Sequence, residues 1–155
     1  MIKIIAVGKL KEQYLKDALK EYEKRLSAFC TFGITEIPAE QIIEESLSEK
    51  YKENEADKIL QTIKPDSFVI TLEIKGKKLT SEEFAQKIKN ITNDGVSDIC
   101  FIIGGANGLS NRVSAIANFK LSFSDMTFTH QMVRILLAEQ IYRAFKINSN
   151  EPYHR

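Results

Sequence analysis

Three short stretches of the chain, residues 72–76, 104–108 and 123–128, hold the side chains best placed to do chemistry. Each lies at the end of an apolar run that is typical of a buried β-strand. Ligands of open α/β sheets bind just beyond the carboxyl ends of the strands, near a reversal of strand order. We therefore regard these three strand ends as the candidate binding loops.

Glycine dominates the second stretch, Gly104-Gly105-Ala106-Asn107-Gly108. Its spacing is neither the GxGxxG of dinucleotide-binding folds nor a phosphate-binding P-loop, because no Lys-Ser or Lys-Thr pair follows. A tight turn that requires a positive φ and a loop that contacts a ligand explain this stretch about equally well. The third stretch is open in the same way, because Thr127 or Thr129 can also cap the helix that follows.

The ionisable residues form no recognisable nucleophile or metal motif. The chain has no GxSxG and no local Cys-His signature, and its two histidines and two cysteines are scattered, so we predict no metal site. Glu139 and Arg143 stand four residues apart, the spacing at which helical side chains pair. His130 stands alone at the start of the same helix, and a lone histidine in that position is more often structural than catalytic. Arg134 has no acidic residue three or four positions away, so its charge requires a partner from elsewhere.

The last third of the chain contains the longest helical pattern, residues 132–145, which holds no Gly and no Pro. Its apolar residues fall on nearly every face, as expected of a helix that is buried on most sides. Because charged residues interrupt it and buried charges are costly unless paired, this helix is the core of an assembly, the wall of a site, or both. A polar tail follows and ends in Pro152-Tyr153-His154-Arg155. Taken alone, this tail reads as a frayed terminus.

Apolar runs and amphipathic segments alternate along the whole chain. The predicted strands are residues 2–7, 32–37, 68–74, 99–103 and 119–123. The predicted helices are residues 11–27, 46–63, 80–94, 110–117 and 132–145. We expect capping boxes at Ser46 with Glu49 and at Thr80 with Glu83, and a turn at Gly76. The alternation predicts an α/β fold with a mostly parallel sheet, helices on both faces and one domain over residues 1–155.

The composition is that of an ordinary globular protein, with 43% hydrophobic and 28% charged residues. A net charge of +1 lacks the basic excess of many nucleic-acid-binding domains, and we interpret its few lysine clusters as solvated turns. The chain holds no apolar run long enough to cross a bilayer, and its N-terminus is typical of a first strand rather than a signal peptide. We therefore expect a cytoplasmic protein with no membrane partner, in which Cys30 and Cys100 are reduced.

Six blocks spread over the chain share the pattern of one family. They are VGKLKEQY, EYEKRL, TLEIKGKKLTSEEFA, FIIGGANGLS, LSFSDMTFTHQMVRILLAEQIYRAF and EPYHR. In these blocks the chain resembles the small SPOUT-class methyltransferases that modify pseudouridine in bacterial large-subunit ribosomal RNA. The C-terminal blocks are long and specific, whereas the glycine-rich block alone would not be. Members of this family usually carry Pro where this chain has Thr129, a change that bears on loop rigidity and leaves a good N-cap.

The resemblance implies a fold, a cofactor and a substrate. The fold would be an α/β sheet whose C-terminal segment is threaded through a loop as a trefoil knot, which ordinary chain topology does not predict. S-adenosylmethionine would be the methyl donor, a homodimer the working form, and N3-methylpseudouridine in 23S rRNA the product, made on the large subunit or the assembled ribosome. The cofactor-binding residues would be Leu72, Gly104, Gly105, Phe123, Ser124, Asp125, Met126, Thr127 and Phe128.

The same resemblance places the catalytic candidates in the tail. Methylation at N3 requires loss of the N3 proton, so a base or a group that stabilises the anionic ring is needed. His154 and Arg155 are the candidates for these roles, and Tyr153 is the candidate for stacking on the base. The tail after Phe145 holds ten residues, which extend over roughly 30 Å, enough to lie over the cofactor of either subunit.

Basic residues of the last helix are the candidates for RNA contact. We expect Arg134 to contact an RNA phosphate or the partner subunit, and we regard His130 and Arg143 as further RNA-binding candidates. Two rival functions stay open. A non-catalytic ribosome-binding module would keep the fold, and a nucleotide-binding protein of flavodoxin or dehydrogenase type would lack the usual GxGxxG after its first strand.

Overall fold

A computed structural model describes residues 1–41 and 43–154. Within these residues, five parallel strands form one sheet in the order β2-β1-β4-β3-β5. The strands are β1 (Ile2–Val7), β2 (Phe32–Ile37), β3 (Phe68–Lys78), β4 (Ile99–Ile103) and β5 (Phe119–Ser122). The helices are α1 (Gln13–Leu26), α2 (Ser48–Thr62), α3 (Ser81–Asn93), α4 (Asn111–Ala115) and α5 (His130–Asn148), with a 3-10 turn at Glu45–Leu47. The predicted α/β alternation is confirmed, and the sheet is entirely parallel.

Helices cover both faces of the sheet. On one face, α1, α3 and α5 pack over the central strands through Leu26, Phe84 and Leu137. On the other face, α2 and α4 do so through Ile59 and Val113. Every side chain of β4 is buried, as expected for a strand that lies in the middle of a parallel sheet.

Of the two expected capping boxes, one is confirmed and one is wrong. The Thr80 side chain accepts a hydrogen bond from the Glu83 amide at 3.1 Å, and the Glu83 carboxylate accepts one from the Thr80 amide at 2.8 Å. Ser46 caps nothing, because it already lies inside the 3-10 turn, and α2 begins at Ser48. A capping hydroxyl must belong to the extended residue just before the helix, and Ser46 does not occupy that position.

The predicted turn at Gly76 is wrong, because β3 continues to Lys78. The glycine is required for a different reason. A Cβ at this position would lie 2.6 Å from the carbonyl carbon of Leu121 and 2.8 Å from the amide nitrogen of Ser122. The pairing of β3 with β5 shifts register between Leu72 and Lys77, so Gly76 marks the irregularity at which the two backbones approach closely.

Replacing Gly76 with alanine is expected to lower the free energy of unfolding by about 1–3 kcal/mol, because the new methyl group meets backbone atoms that cannot rotate away. Urea unfolding measures this loss. Gly33→Ala is the matched control, because a Cβ there has only the Met1 methyl carbon nearby, at 3.9 Å. An equal loss in both variants would contradict the close-approach explanation.

The last helix is the longest in the described part of the chain, with 19 residues. It begins at His130, capped by the Thr129 hydroxyl, which accepts a hydrogen bond from the Met132 amide at 3.2 Å. It ends three residues later than the sequence pattern predicts, at Asn148. None of the described helices combines the length and apolar character that a membrane span requires. The threading of the C-terminal segment as a knot stays a prediction.

Candidate functional site

A cleft of about 600 Å³ opens at the carboxyl ends of β3, β4 and β5. The three candidate loops meet there, and the first turn of α1 and the start of α5 complete its walls. Eight of the nine residues expected to bind the cofactor line it: Leu72, Gly104, Gly105, Phe123, Ser124, Met126, Thr127 and Phe128. Asp125 does not line it. Its exposed carboxylate instead accepts a hydrogen bond from Lys78 Nζ at 2.5 Å.

The sheet order explains why a cleft forms at this edge. The chain leaves β1 toward β2 on one side and leaves β4 toward β5 on the other, although β1 and β4 are neighbours. Connections that diverge from adjacent parallel strands open a crevice at their carboxyl ends. The cleft therefore lies at the strand ends where ligand binding is expected, and the binding itself stays a prediction.

The glycine loop is a tight turn that also forms part of the cleft wall. The Gly108 amide donates to the Gly105 carbonyl at 3.0 Å, and Gly108 has a φ of 76°. A Cβ at Gly104 would lie 2.9 Å from the Gly108 carbonyl carbon, and one at Gly105 would lie 3.1 Å from Val7 Cγ1. These contacts account for the glycines as turn and packing residues, while the loop backbone remains on the cleft surface.

The cleft has an unusual charge balance. Among residues 1–41 and 43–154, its lining contains two acidic residues, Glu12 and Glu73, and no lysine or arginine. Most of the remaining wall is apolar, with Leu72, Leu109 and Phe123 among its side chains. Since opposite charges attract and like charges repel at short range, this lining favours a ligand with a positively charged group over a phosphorylated one.

Glu73 was not singled out from the sequence, although it lies in the first candidate loop. Its Oε2 accepts a hydrogen bond from the Thr71 hydroxyl at 2.6 Å, and its Oε1 accepts one from the Ser114 hydroxyl at 2.8 Å. Its signal in the sequence is an acidic residue at the carboxyl end of an otherwise apolar strand. That signal is weak without knowledge that Ser114, on α4, lies opposite.

His130 also lines the cleft, at the first residue of α5. Burial lowers the pKa of its imidazole, and the positive charges of Arg134 and Lys11 lower this pKa further. The ring is therefore neutral at physiological pH, so it can accept or donate a hydrogen bond but brings no charge to an RNA phosphate. An RNA contact by His130 stays a prediction.

The prediction that Arg134 contacts an RNA phosphate is contradicted by its burial, because its exposed fraction is 0%. Its Nη2 donates to the carbonyls of Val7 and Gly8 at 2.9 and 2.8 Å, and its Nη1 donates to Glu36 Oε1 at 3.3 Å. Burial lowers the pKa of the guanidinium, and the Glu36 carboxylate opposes that shift. Arg134 thus holds the end of β1 to α5, and the partner that its charge required is Glu36.

The described part of the tail, which ends at His154, lies outside the cleft and packs against α5. The Tyr153 hydroxyl donates to Glu139 Oε1 at 3.2 Å, and the Tyr153 ring meets Tyr142 edge to face at 4.9 Å between centroids. Burial and the nearby Glu139 carboxylate raise the pKa of Tyr153 to about 12, so its phenol stays protonated. A frayed terminus is therefore the wrong interpretation for this residue.

His154 bridges two elements. Its Nε2 lies 2.7 Å from the Glu82 carboxylate, which accepts, so Nδ1 is the acceptor for Arg143 Nη1 at 3.1 Å. Arg143 also donates to Glu139 at 2.7 Å, which confirms the pair expected from their spacing. Arg143 is thereby occupied within its own chain, and its contact with RNA stays a prediction. Arg155, the remaining catalytic candidate, lies outside the described residues.

Comparisons with known proteins agree with the α/β fold. The sequence model of a family described as "Predicted SPOUT methyltransferase" matches residues 1–154. A Methanococcus maripaludis protein, provisionally named ribosomal RNA large subunit methyltransferase H, is 55% identical over 157 residues, which cover 99% of each chain. The ribosomal RNA large subunit methyltransferase H of Clostridium botulinum strain Hall is 52% identical over 157 residues, again with 99% of each chain covered.

A solved structure from Haemophilus influenzae Rd KW20, described as a probable methylase family protein, is similar to this chain with a TM-score of 0.58. The match covers 99% of this chain and 70% of that one at 14% identity. At so low an identity the similarity concerns the fold alone.

Proposed function

Since this chain belongs to the SPOUT methyltransferase family, we propose that it transfers a methyl group from S-adenosylmethionine to N3 of a pseudouridine in 23S rRNA. The observation that carries the proposal is the cleft at the strand ends, to which the described part of the chain contributes acidic residues and apolar walls but no lysine or arginine. The names of its relatives, which refer to the ribosomal RNA of the large subunit, supply the substrate class.

The residues of the cleft fit this cofactor by size, shape and charge. A volume of about 600 Å³ lies within the range of roughly 300–1,000 Å³ that is usual for small-molecule sites. Leu72, Gly104 with Gly105, and the loop 123–128 would hold the adenosine against apolar surface and exposed backbone. The acidic lining favours a cationic ligand, and a phosphorylated dinucleotide would meet carboxylates without a compensating cation.

When bound, S-adenosylmethionine supplies an electrophilic methyl group on a positively charged sulfur. The contribution of the protein is to hold the acceptor nitrogen in line with that methyl group, because orientation alone removes several kcal/mol from such a barrier. The protein must also receive the N3 proton or stabilise the anionic ring that remains. We assign these roles to His154 and Arg155.

The tail must change its contacts to act on a base in the cleft. The Nδ1 atom of His154 accepts from Arg143, so it is free to act as a base only after it leaves that arginine. Tyr153, whose phenol stays protonated, is suited to stacking and to donating a hydrogen bond rather than to accepting the proton. Because α5 extends to Asn148, seven residues follow it, which extend over roughly 23 Å.

We further propose that the protein works as a cytoplasmic homodimer with α5 near the interface, and that its substrate is the large subunit or the assembled ribosome. Two observations support this. The isolated chain carries a net charge of only +1, so shape and pooled basic residues must supply part of the RNA affinity. In addition, Tyr153 and His154 lie outside the cleft of their own subunit, which is consistent with access to that cleft by the tail of a second subunit.

Two measurements test the proposal together. Calorimetric titration is expected to show binding of S-adenosylmethionine and no comparable binding of NAD or FMN. Mass spectrometry of 23S rRNA from a strain that lacks the protein is expected to show loss of one N3-methylpseudouridine, restored by the gene. Absence of binding would overturn the cofactor assignment, and an unchanged rRNA would overturn the substrate.

A further inference from the structure

We propose that Glu73 binds a positively charged centre of the methyl donor and so selects cationic ligands for the cleft, an inference that rests on the proposed function. The proposal starts from the position of its carboxylate. Glu73 is half-buried in the cleft wall, within β3 where the pairing of this strand with β5 shifts register. Within residues 1–41 and 43–154 it has no lysine, arginine or histidine within salt-bridge distance.

A half-buried carboxylate without a cation is costly, because it has lost water and gained no opposite charge. Among the other acidic groups with little exposure, Glu55 accepts a hydrogen bond from the Glu40 amide instead of pairing with a cation, whereas two others show the alternative. Glu139 and Glu36 each pair with an arginine. Glu73 instead lines a cleft to which residues 1–41 and 43–154 contribute no lysine or arginine, so within these residues no positive charge balances its carboxylate, and we infer that the ligand supplies one.

Two hydroxyl groups hold the carboxylate in a fixed orientation. Thr71, on β3, is fully buried and donates to Oε2 at 2.6 Å, while Ser114, on α4, donates to Oε1 at 2.8 Å. An ionised carboxylate has about four acceptor positions, so both oxygens keep capacity for a ligand after these two bonds. Because the hydroxyls come from different elements, the carboxylate is positioned before any ligand arrives.

The donor offers two positive centres that such a carboxylate recognises, the sulfonium and the α-ammonium of the methionine part. Both centres are cations that a carboxylate attracts, and three ligands distinguish between them. S-adenosylmethionine carries both charges, S-adenosylhomocysteine carries the ammonium alone, and 5′-methylthioadenosine carries neither but keeps the adenine and the ribose hydroxyls.

The test is calorimetric titration of the full-length protein with these three ligands in Glu73→Gln and in wild type. Glutamine keeps the size and an acceptor oxygen but removes the charge. We expect S-adenosylmethionine to bind at least about tenfold more weakly to the variant, as is usual when a charged hydrogen-bond partner is lost, with the affinity for 5′-methylthioadenosine unchanged. Equal weakening of S-adenosylhomocysteine identifies the ammonium as the centre, and no weakening identifies the sulfonium.

Two further variants serve as controls. Glu12→Gln removes the other acidic side chain of the cleft lining, which is exposed, and is expected to weaken S-adenosylmethionine by a smaller factor than Glu73→Gln because solvent screens its charge. Ser114→Ala keeps the Glu73 charge but removes one orienting hydroxyl, and is expected to weaken S-adenosylmethionine by a smaller factor than Glu73→Gln. Thermal melting checks that each variant is folded.

Three results would overturn the proposal. The first is wild-type affinity for S-adenosylmethionine in Glu73→Gln. The second is an equal loss of affinity for all three ligands in that variant. The third is an equal loss of affinity in Glu12→Gln, which would show that the overall negative charge of the cleft, and not a contact with Glu73, attracts the ligand. A wild-type protein that does not bind S-adenosylmethionine would contradict the proposed function itself, so the two failures are distinguishable.

Discussion

Replacing Arg134 with alanine is expected to lower the free energy of unfolding by about 3–5 kcal/mol, the usual loss when one partner of a buried charge pair is removed. The guanidinium has no exposed surface and donates to two backbone carbonyls as well as to Glu36. Alanine would leave the carbonyls of Val7 and Gly8 buried without a donor and would add a cavity where the long side chain had been.

Chemical unfolding in urea, followed by circular dichroism, measures this loss. Arg112→Ala is the matched control, because Arg112 is also an ion-paired arginine, with two carboxylate partners, but keeps 50% of its side chain exposed. A surface arginine of this kind is expected to contribute about 1 kcal/mol or less. Arg134→Lys should lose most of the stability too, because an ammonium cannot reproduce the two-sided donor geometry of the guanidinium. Similar losses for Arg134→Ala and Arg112→Ala would contradict the role assigned to Arg134.

Deleting residues 153–155 is expected to lower the rate of rRNA methylation by about 10²–10⁴-fold, the usual contribution of a positioned acid or base. The affinity for S-adenosylmethionine is expected to stay within about threefold, because neither Tyr153 nor His154 lines the cleft. Methyl incorporation into ribosomes that lack the modification measures the rate, and calorimetry measures the affinity.

Point variants separate chemistry from packing in the tail. Tyr153→Phe keeps the ring that packs on Tyr142 and removes the hydroxyl that donates to Glu139, whereas His154→Ala removes the imidazole. A large loss of rate in His154→Ala with an unchanged melting temperature would support a role in proton transfer. Methylation at the wild-type rate after the deletion would exclude the tail from the chemistry.

The sequence predicts those features of this protein that depend on neighbouring residues. All five strands are confirmed within a few residues, because each is a short apolar run bounded by polar or glycine-rich segments. Thr80 and Glu83 form a capping box because the four residues that contain them suffice to build one. The same pattern at Ser46 fails, since the 3-10 turn around it is a local alternative that spacing alone does not exclude.

Features that depend on residues far apart along the chain could not be predicted from the sequence. In the sequence, Gly76 predicts a turn, whereas the structure shows the backbone of Leu121 lying against it. Arg134 suggests an RNA contact because its partner, Glu36, is 98 positions away along the chain. The role of Glu73 is evident only from the structure, in which the Ser114 hydroxyl donates a hydrogen bond to its carboxylate. In each case the missing information is a pairing between elements, which composition and periodicity do not specify.

The bonds from Arg134 to the end of β1 also determine when the molecule can finish folding. They join residues that are 126 and 127 positions apart, so they close nearly the longest loop that the chain allows. Closing such loops costs entropy that local contacts do not, and proteins dominated by distant contacts fold slowly. During synthesis the first strand emerges long before the arginine that completes it. The native core therefore becomes complete only when almost the entire chain has been made, and until then the carbonyls of Val7 and Gly8 lack the donors that Arg134 supplies.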